Sequence, residues 1–400
     1  MEALPQLALT EHFAGLDDPR VERTQLHPLL SIVVVALCAV IAGAETWDDI
    51  ALFGEAKAEW LGSFLALPNG IPSHDTFNRV FAALDPAQFQ AGFASWMQAV
   101  AEVLPAQVIA VDGKTVRRSH DRAHGTPAIH MVSAWASANR LVLGQVKVDD
   151  KSNEITAIPQ LLQQLALTGC IVTIDAMGCQ RAIAQQILDQ GGHYVLALKA
   201  NQPDLLEEVA DCFTLADQAA YEGVRHDWQQ TRNKRHGRHE VRQHTVIFDP
   251  EHLAWLQAEQ HWPGLQALGR VTTRRRSTAA LPVPPDAPPP DAPPTDAPND
   301  VVEETRYYLL SRRLTARAFG AAVRAHWGIE NRLHWVLDVT FQEDQSRMRA
   351  GHAAENVAVL RHIAVNLLQQ ERSKKGRSMK GKRLKAGWDN DYLLTILAAI

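Results

Sequence analysis

From about residue 106 onward, short apolar runs alternate with amphipathic stretches, a pattern that predicts an α/β domain built on a mixed sheet. The first 100 residues carry helical periodicity alone, and a proline-rich stretch at 281–300 breaks the later pattern. These observations predict a helical domain over 1–100, an α/β domain over 106–200 and 302–400, and an insertion domain over 201–301. A chain of 400 residues exceeds what one hydrophobic core usually serves, which agrees with this division.

In chain order, helices are expected over Leu29 to Ala44 and Trp47 to Leu65, with a third opening at Ser73, a good N-cap behind Pro72. The helices flanking Leu67-Pro68-Asn69-Gly70-Ile71 have the outline of a helix-turn-helix, with His74, Asn78 and Arg79 turned toward a base-bearing ligand. Packing and regulation are the other readings of that pair. Val108 to Val111 is a short apolar run, and strands follow at Ile129 to Ala136 and Leu141 to Val148. Helix Glu154 to Leu165, strand Ile171 to Ile174, helix Gln180 to Gln190 and strand Tyr194 to Leu198 complete the first α/β stretch. The two apolar runs, Val108 to Val111 and Ile171 to Ile174, need not alternate if both faces are covered, so they are read as central strands. Residues 225–248 read as an extended basic hairpin holding Arg235 and Arg238. Residues 281–300 hold nearly half of the 21 prolines and cannot bury apolar surface, so disorder is expected there. Regular structure resumes at Glu304 to Ser311, followed by a long helix from Thr315 to the Asp338 region and a basic run from Lys374 to Lys385.

Composition narrows the function classes. Apolar content of 46% against 21% charged excludes a disordered chain. Cys38, Cys170, Cys179 and Cys212 form no CxxC pair, which argues against a disulfide scaffold or a cysteine-built zinc module. A reduced, cytoplasmic protein is expected. The run Leu29 to Ala44 is 16 residues long and contains Ser31, too short for a membrane span, so it reads as a buried helix. Net charge is −5, but it is graded: −9 over 1–105, −4 over 106–224, +1 over 225–300 and +7 over 301–400. A polyanion would therefore meet the C-terminal part first.

Three acids carry the chemistry. Asp112 ends the run Val-Ile-Ala-Val, and Asp175 ends Ile-Val-Thr-Ile. Ligands and catalytic groups gather at the carboxyl ends of central strands, so acids placed this way can stand side by side. A strand-end Asp also serves simply as a loop or helix cap. In the helix from Thr315, steps of three and four residues give Phe319, Val323, Trp327, Glu330, His334, Leu337 and Phe341, which predicts that Glu330 faces the core. A buried carboxylate needs a cation or a basic partner. A metal shared with Asp112 and Asp175 supplies one; Arg324, His326 and His334 supply the alternative. Convergent carboxylates suit Mg²⁺ or Mn²⁺. Two such ions about 4 Å apart clamp the attacking and leaving oxygens of a phosphoryl displacement.

The segments VIAVDGKTVRRS (108–119), KSNEITAIPQLLQQLALTGCIVTIDAMGCQ (151–180), YVLALKANQP (194–203) and RAHWGIENRLHWVLDVTFQEDQSRMR (324–349) resemble the DDE transposases of bacterial insertion sequences. The likeness is closest to the ISAs-type, H-repeat-associated group, and it extends to AVIAGAETWDDIALFGEAKAEWL, PNGIPSHDTFNRVF and KRLKAGWDNDYLL. The resemblance implies a ribonuclease-H-like core, two Mg²⁺ or Mn²⁺ ions held by Asp112, Asp175 and Glu330, and cleavage and strand transfer of double-stranded DNA. It also implies a homodimer on paired terminal repeats. The 155 residues between Asp175 and Glu330 leave room for the insertion domain. Candidate DNA contacts are Lys114, Lys199, Arg324, His326, Asn331, Arg332, Arg235 and Arg238. Wider relatives carry a Tyr, an Arg and a Lys around the Glu, where this chain has Val323, His326 and Leu337; His326 to Asn331 instead match the group's own His-Trp-x-Ile-Glu-Asn. Asp338, Glu343 and Asp344 are second choices for the third acid, Asp338 being rotated about 80° from Glu330 on an ideal helix.

Other features have blander readings. His226, His236, His239 and His244 read as phosphate contacts or plain surface, not a zinc site. Trp327 and Trp335 read as core. Lys114 and Lys199 have a second reading, as ion-pair partners of nearby acids. A nuclease of the same core without strand transfer, and a non-catalytic DNA binder, are the rival functions.

Overall fold

An N-terminal helical stretch precedes the first strand because its apolar residues recur at helical spacing and its turns carry cap residues. Helices α1 (Ala8–Phe13), α2 (Leu29–Ala42), α3 (Trp47–Ala56), α4 (Ala58–Gly62), α5 (His74–Ala83) and α6 (Pro86–Val100) form in this region. In the computed structural model, the described residues are 8–100, 107–121, 125–149, 152–235, 238–277, 301–371 and 376–398. The chain forms two compact units, one of Met1–Cys170 with His326–Ile400 and the other of Ile171–Ala325.

In the first unit, α2 is apolar around its whole circumference and is correspondingly buried. It ends at Gly43, whose φ of 120° no other residue adopts without strain. Among the described residues, no single helix is long and apolar enough to cross a membrane. The helix expected over 47–65 is broken at Lys57, where φ falls to −116°. Thr46 and Asp49 close a reciprocal capping box on α3, and Ser73 caps α5 as its sequence position predicts.

Strands β1 (Val108–Thr115), β2 (His130–Ala136) and β3 (Leu141–Lys147) follow as an antiparallel meander. The register sets Asp112 opposite Ser133 and Ser133 opposite Gln145. Helix α7 (Glu154–Gln163) packs against β2 and β3, its N-cap Asn153 accepting from the Ile155 amide.

The second unit contains β4 (Ile171–Ile174), α8 (Arg181–Asp189), β5 (His193–Leu198), α9 (Pro203–Gln218), β6 (His226–Arg235), β7 (Arg238–Ile247), α10 (Pro250–Gln260), β8 (Ala267–Ser277) and β9 (Val301–Leu310). Its strand order is β4-β5-β9-β8-β7-β6, with β4 and β5 parallel and the remaining pairs antiparallel. The expected basic hairpin is β6–β7. It is the outer half of a four-strand antiparallel array whose β9 matches the regular structure expected from Glu304, while β8 was not revealed because charge covers its outer half. Arg274 pairs with Glu303 at 2.8 Å and Arg275 with Glu304 at 3.5 Å across those strands. Such exposed pairs set register more than stability. The proline-rich stretch 281–300, expected to be disordered, lies outside the described residues.

Helix α11 (Ala316–Ile329) returns the chain to the first unit, where a π-helical turn at Glu330–His334 leads into α12 (Trp335–Val339). Helices α13 (Ala353–Gln370), α14 (Met379–Trp388) and α15 (Asn390–Leu397) complete it. Much of the basic run Lys374 to Lys385, which the sequence offers either as a contact to the DNA backbone or as a solvated tail, is therefore α14. Arg383 in α14 is buried, donating to the carbonyls of Thr340 and Val40, while Lys382 donates to the Leu368 and Glu371 carbonyls at the end of α13.

Two buried asparagines make α13 the organising helix of this unit. Asn356 donates to the carbonyls of Phe81 and Leu84 at 2.9 Å, closing the end of α5. Asn366 accepts from the Val142 amide at 2.8 Å and donates to the Val142 carbonyl at 2.9 Å, satisfying β3. Replacing Asn366 with Leu strands both Val142 groups away from water. Urea denaturation is expected to show a loss of about 2–4 kcal/mol for this substitution, with the slope unchanged.

Candidate catalytic centre

The centre begins on β1. Asp112 and Lys114 alternate onto one face of the strand, and Gly113 between them faces the other way. A Cβ at Gly113 would run into the Glu154 carboxylate and the His130 imidazole, which bond each other at 2.7 Å. The Asp-Gly-Lys triplet is thus dictated by packing on one side and chemistry on the other. The strand continues through Thr115, so Asp112 lies within it and not at its tip, correcting the strand-end expectation. Backbone pairing with Ser133 continues there because β2 runs alongside as far as His130.

Asp112 is 18% exposed; one carboxylate oxygen accepts from the Gly113 amide at 3.0 Å and the other lies 3.6 Å from Nδ1 of His334. Burial, reinforced by the Lys114 charge, pushes His334 down to about 4, so its imidazole is neutral near pH 7. The contact is accordingly dipolar, not an ion pair.

Of the two readings the sequence offers for Lys114, phosphate contact and pairing with acids, its ammonium takes the second. It lies 2.8 Å from Asp338, 2.8 Å from Glu343 and 3.3 Å from Asp344, and is only 11% exposed. Burial would lower its pKa; the Glu343 and Asp338 carboxylates overcome that and raise it. Glu343 is buried, yet Lys114 and Arg361 hold its pKa below the ordinary carboxylate value. Asp338 moves the opposite way, because burial and the neighbouring charges of Asp344 and Glu343 outweigh its share of one ammonium. The second-choice acids therefore form the counter-charge of Lys114.

Glu330 is exposed, contrary to the core-facing position that periodicity predicts. Up to Val323 the helix buries Phe319 among His244 and Tyr308. Farther along, Ile329 and Leu333 are buried, followed by Val336, Leu337 and Phe341, the last two as the predicted stripe has them. The π turn starting at Glu330 inserts extra arc into the ladder, and such turns recur at functional sites. Trp335 is likewise 57% exposed and not core.

Asp175 belongs to the second unit and follows β4. It is half-buried and accepts from the Met177 amide at 3.1 Å. The loop after β5 clamps this turn: Asn201 donates to the Ala176 carbonyl at 2.6 Å and Gln202 to the Cys179 carbonyl at 3.1 Å. Sequence reasoning passed over both amides, although their place directly after a strand was a usable signal. Among the described residues, no group of three or more His, Cys, Asp or Glu side chains stands ready to hold a metal ion.

The model of the DDE_Tnp_1-associated domain matches residues 10–97, and that of the transposase DDE domain matches residues 104–367. The chain belongs to the DDE transposase family. It is 40% identical over 390 residues to the H repeat-associated putative transposase YhhI of Escherichia coli strain K12, covering 98% of this chain and 97% of that one. It is 39% identical over 396 residues to the putative transposase YncI of Escherichia coli O157:H7, covering 98% and 95%. A cryo-EM structure titled as a piggyBac transposase synaptic complex with hairpin DNA aligns at a TM-score of 0.43 and 11% identity, covering 96% of this chain and 76% of that one. The H-repeat-associated resemblance and the ribonuclease-H-like α/β fold read from the sequence are those of this DDE transposase.

Of the other sequence-derived DNA contacts, Lys199, Arg324, Asn331 and Arg332 are exposed and His326 is half-buried. Asn331 donates to the Trp327 carbonyl at 2.8 Å. The backbones of Arg235 and Arg238 pair at the end of the β6–β7 ladder; their side chains lie outside the described set. His244 is 3% exposed and packs over Gly320, which removes it from the expected surface histidines. Burial lowers its pKa. His74 of the expected recognition helix, read as meeting bases, lies 3.8 Å from Asp48 and 3.5 Å from Asp75.

Lys114→Met removes the cation from a nearly buried set of carboxylates and is expected to lower unfolding free energy by about 3–5 kcal/mol, measured in urea. A pH dependence follows from His334 and His362, both held by burial at about 4. The unfolded chain takes up those protons near 6.5 while the native state refuses them, so stability is full above that value and falls as pH drops toward 4. Chemical denaturation at pH 7, 5.5 and 4.5 is expected to show a progressive loss, shallower in His362→Asn.

Proposed function

We propose that this chain is the transposase of an insertion sequence, which cleaves phosphodiester bonds at the element's ends and joins the freed 3′-hydroxyl to target DNA. Asp112, Asp175 and Glu330 are the catalytic acids in this reading. One contact carries it: Asp112 lies 3.6 Å from His334, four residues beyond Glu330, and the first and third acids belong to one compact unit.

The donor set fits hard divalent ions, since all three side chains offer carboxylate oxygens and none offers sulfur. Asp112, Asp175 and Glu330 would hold Mg²⁺ or Mn²⁺. Bound there, two ions supply Lewis-acid stabilisation of the attacking and leaving oxygens. The protein's own contribution is positioning: Gly113 seats β1 against the His130–Glu154 pair, Lys114 ties β1 to the Asp338–Asp344 segment, and Asn201 with Gln202 fixes the Asp175 turn.

Double-stranded DNA is the substrate, approached along Lys199, Arg324, His326, Asn331 and Arg332, with Arg235 and Arg238 at the hairpin. The +7 balance of residues 301–400 supports an approach from that side. In this reading residues 1–100 bind partner or DNA, 106–200 with 302–400 catalyse, and 201–301 is the insertion. A homodimer assembles on paired ends, in the cytoplasm where the DNA lies.

The test is cleavage and joining of a DNA carrying the element's terminal repeats, in Mg²⁺. Asp112→Asn, Asp175→Asn and Glu330→Gln are each expected to lower both steps by at least about 10³-fold, since each removes several kcal/mol of transition-state stabilisation. Normal cleavage by any of them removes that acid from the reading, and nicking without joined products by the parent chain favours a nuclease.

A further inference from the structure

His334 closes the π turn that begins at Glu330, and β1 meets it at Asp112. Two successive rungs place it there. Asp112 lies 3.6 Å from Nδ1 of His334, and Lys114, two residues along the strand, lies 2.8 Å from Asp338, four residues along the helix. Two strand residues rise about 6.6 Å and four helical residues about 6 Å, so the two elements run in one direction and stay in step. The residue level with the first acid is therefore a histidine, with Glu330 one turn behind it.

The ring has one good place for its proton. Nε2 is buried with no hydrogen-bond partner, whereas Nδ1 faces a carboxylate oxygen of Asp112. An imidazole with a single N–H bears it on the nitrogen that has an acceptor within reach, so the proton belongs on Nδ1. The pair stands short of a hydrogen bond, whose N–H···O distance is about 2.7–3.2 Å, and a small turn of either side chain closes it. Catalytic hydrogen bonds are commonly long until the bound state tightens them. Both side chains are confined: His334 is 13% and Asp112 18% exposed, and the carboxylate's other oxygen accepts from the Gly113 amide.

We infer that His334 is a positioning residue, whose Nδ1–H orients the Asp112 carboxylate for a divalent ion. The inference rests on reading Asp112 as a metal ligand of the transposase. Carboxylates that ligate metals are themselves held by hydrogen bonds from behind, and losing such a partner costs roughly 10–100-fold in metal affinity. The Gly113 amide belongs to the strand of Asp112 itself. His334 adds a hold from the helix that carries Glu330, so the first and third acids keep one relative setting.

The experiment measures Mn²⁺ binding to the full chain without DNA, by loss of the free-ion electron paramagnetic resonance signal. His334→Leu is expected to bind Mn²⁺ at least about tenfold more weakly, and Asp112→Asn likewise. His334→Asn, whose amide nitrogen takes the place of Nδ1, is expected to stay within about threefold of the parent chain. His334→Leu removes a buried nitrogen that has no partner, so its melting temperature is expected to hold, which shows that the variant folds. Parent-like affinity in His334→Leu overturns the inference, as does His334→Asn binding as weakly as His334→Leu. Coupling of a directly bonded ¹⁴N to Mn²⁺ in the parent chain, lost in His334→Asn, makes His334 a ligand and overturns it too. Binding that is absent in the parent chain, or indifferent to Asp112→Asn, withdraws the inference together with the reading of Asp112 as a ligand. Where Asp112→Asn weakens binding and His334→Leu does not, the inference alone falls.

Discussion

A single ammonium shared by three carboxylates is the constraint on which the catalytic unit depends. Lys114 lies on β1, two residues from Asp112, while Asp338, Glu343 and Asp344 lie just beyond the π turn that carries Glu330. The pairing therefore joins the strand of the first acid to the segment following the third. Little solvent reaches the cluster, with Lys114 11% and Glu343 3% exposed, so its Coulomb energy is weakly screened and its desolvation cost is correspondingly large. Such a cluster holds one arrangement well and tolerates the loss of a member badly. Arg361 from α13 adds a second cation, 3.8 Å from Glu343.

The neutral imidazoles are the other side of this arrangement. His334 and His362 border the cluster, and charging either would add a buried cation beside Lys114 and Arg361. Their neutrality sets His334 against Asp112 as a dipole. The same face of the sheet continues from Asp112 through Ser133 to the buried Gln145 of β3.

Helix α13 supports both regions with polar groups spaced along an otherwise apolar stretch. Asn356 closes α5, Arg361 and His362 reach the cluster, and Asn366 satisfies β3. A polar residue buried this way is stabilising only where its partner is present, which ties the helical stretch, the meander and the cluster into one cooperative unit.

The sequence alone determined the elements whose patterns are local: α2 from its unbroken apolar run, the capped start of α5 at Ser73, the meander β1–β3, β4 and β5, the β6–β7 hairpin, and the long helix of Glu330. It also determined the family, through motifs written in contiguous residues. Strand β8 escaped because charge covers its outer half, and period-2 reading depends on one greasy side; β9 was legible as the regular structure resuming at Glu304. Tertiary structure alone decided that Lys114 answers to Asp338, Glu343 and Asp344, more than 220 residues away, and that Glu330 faces outward. The physical reason is common to both. A side chain's partner, and the face a helix buries, are set by what packs against it: the buried row runs through Ala322, Ile329 and Leu333, one position aside from Glu330, and apolar spacing alone allows either row.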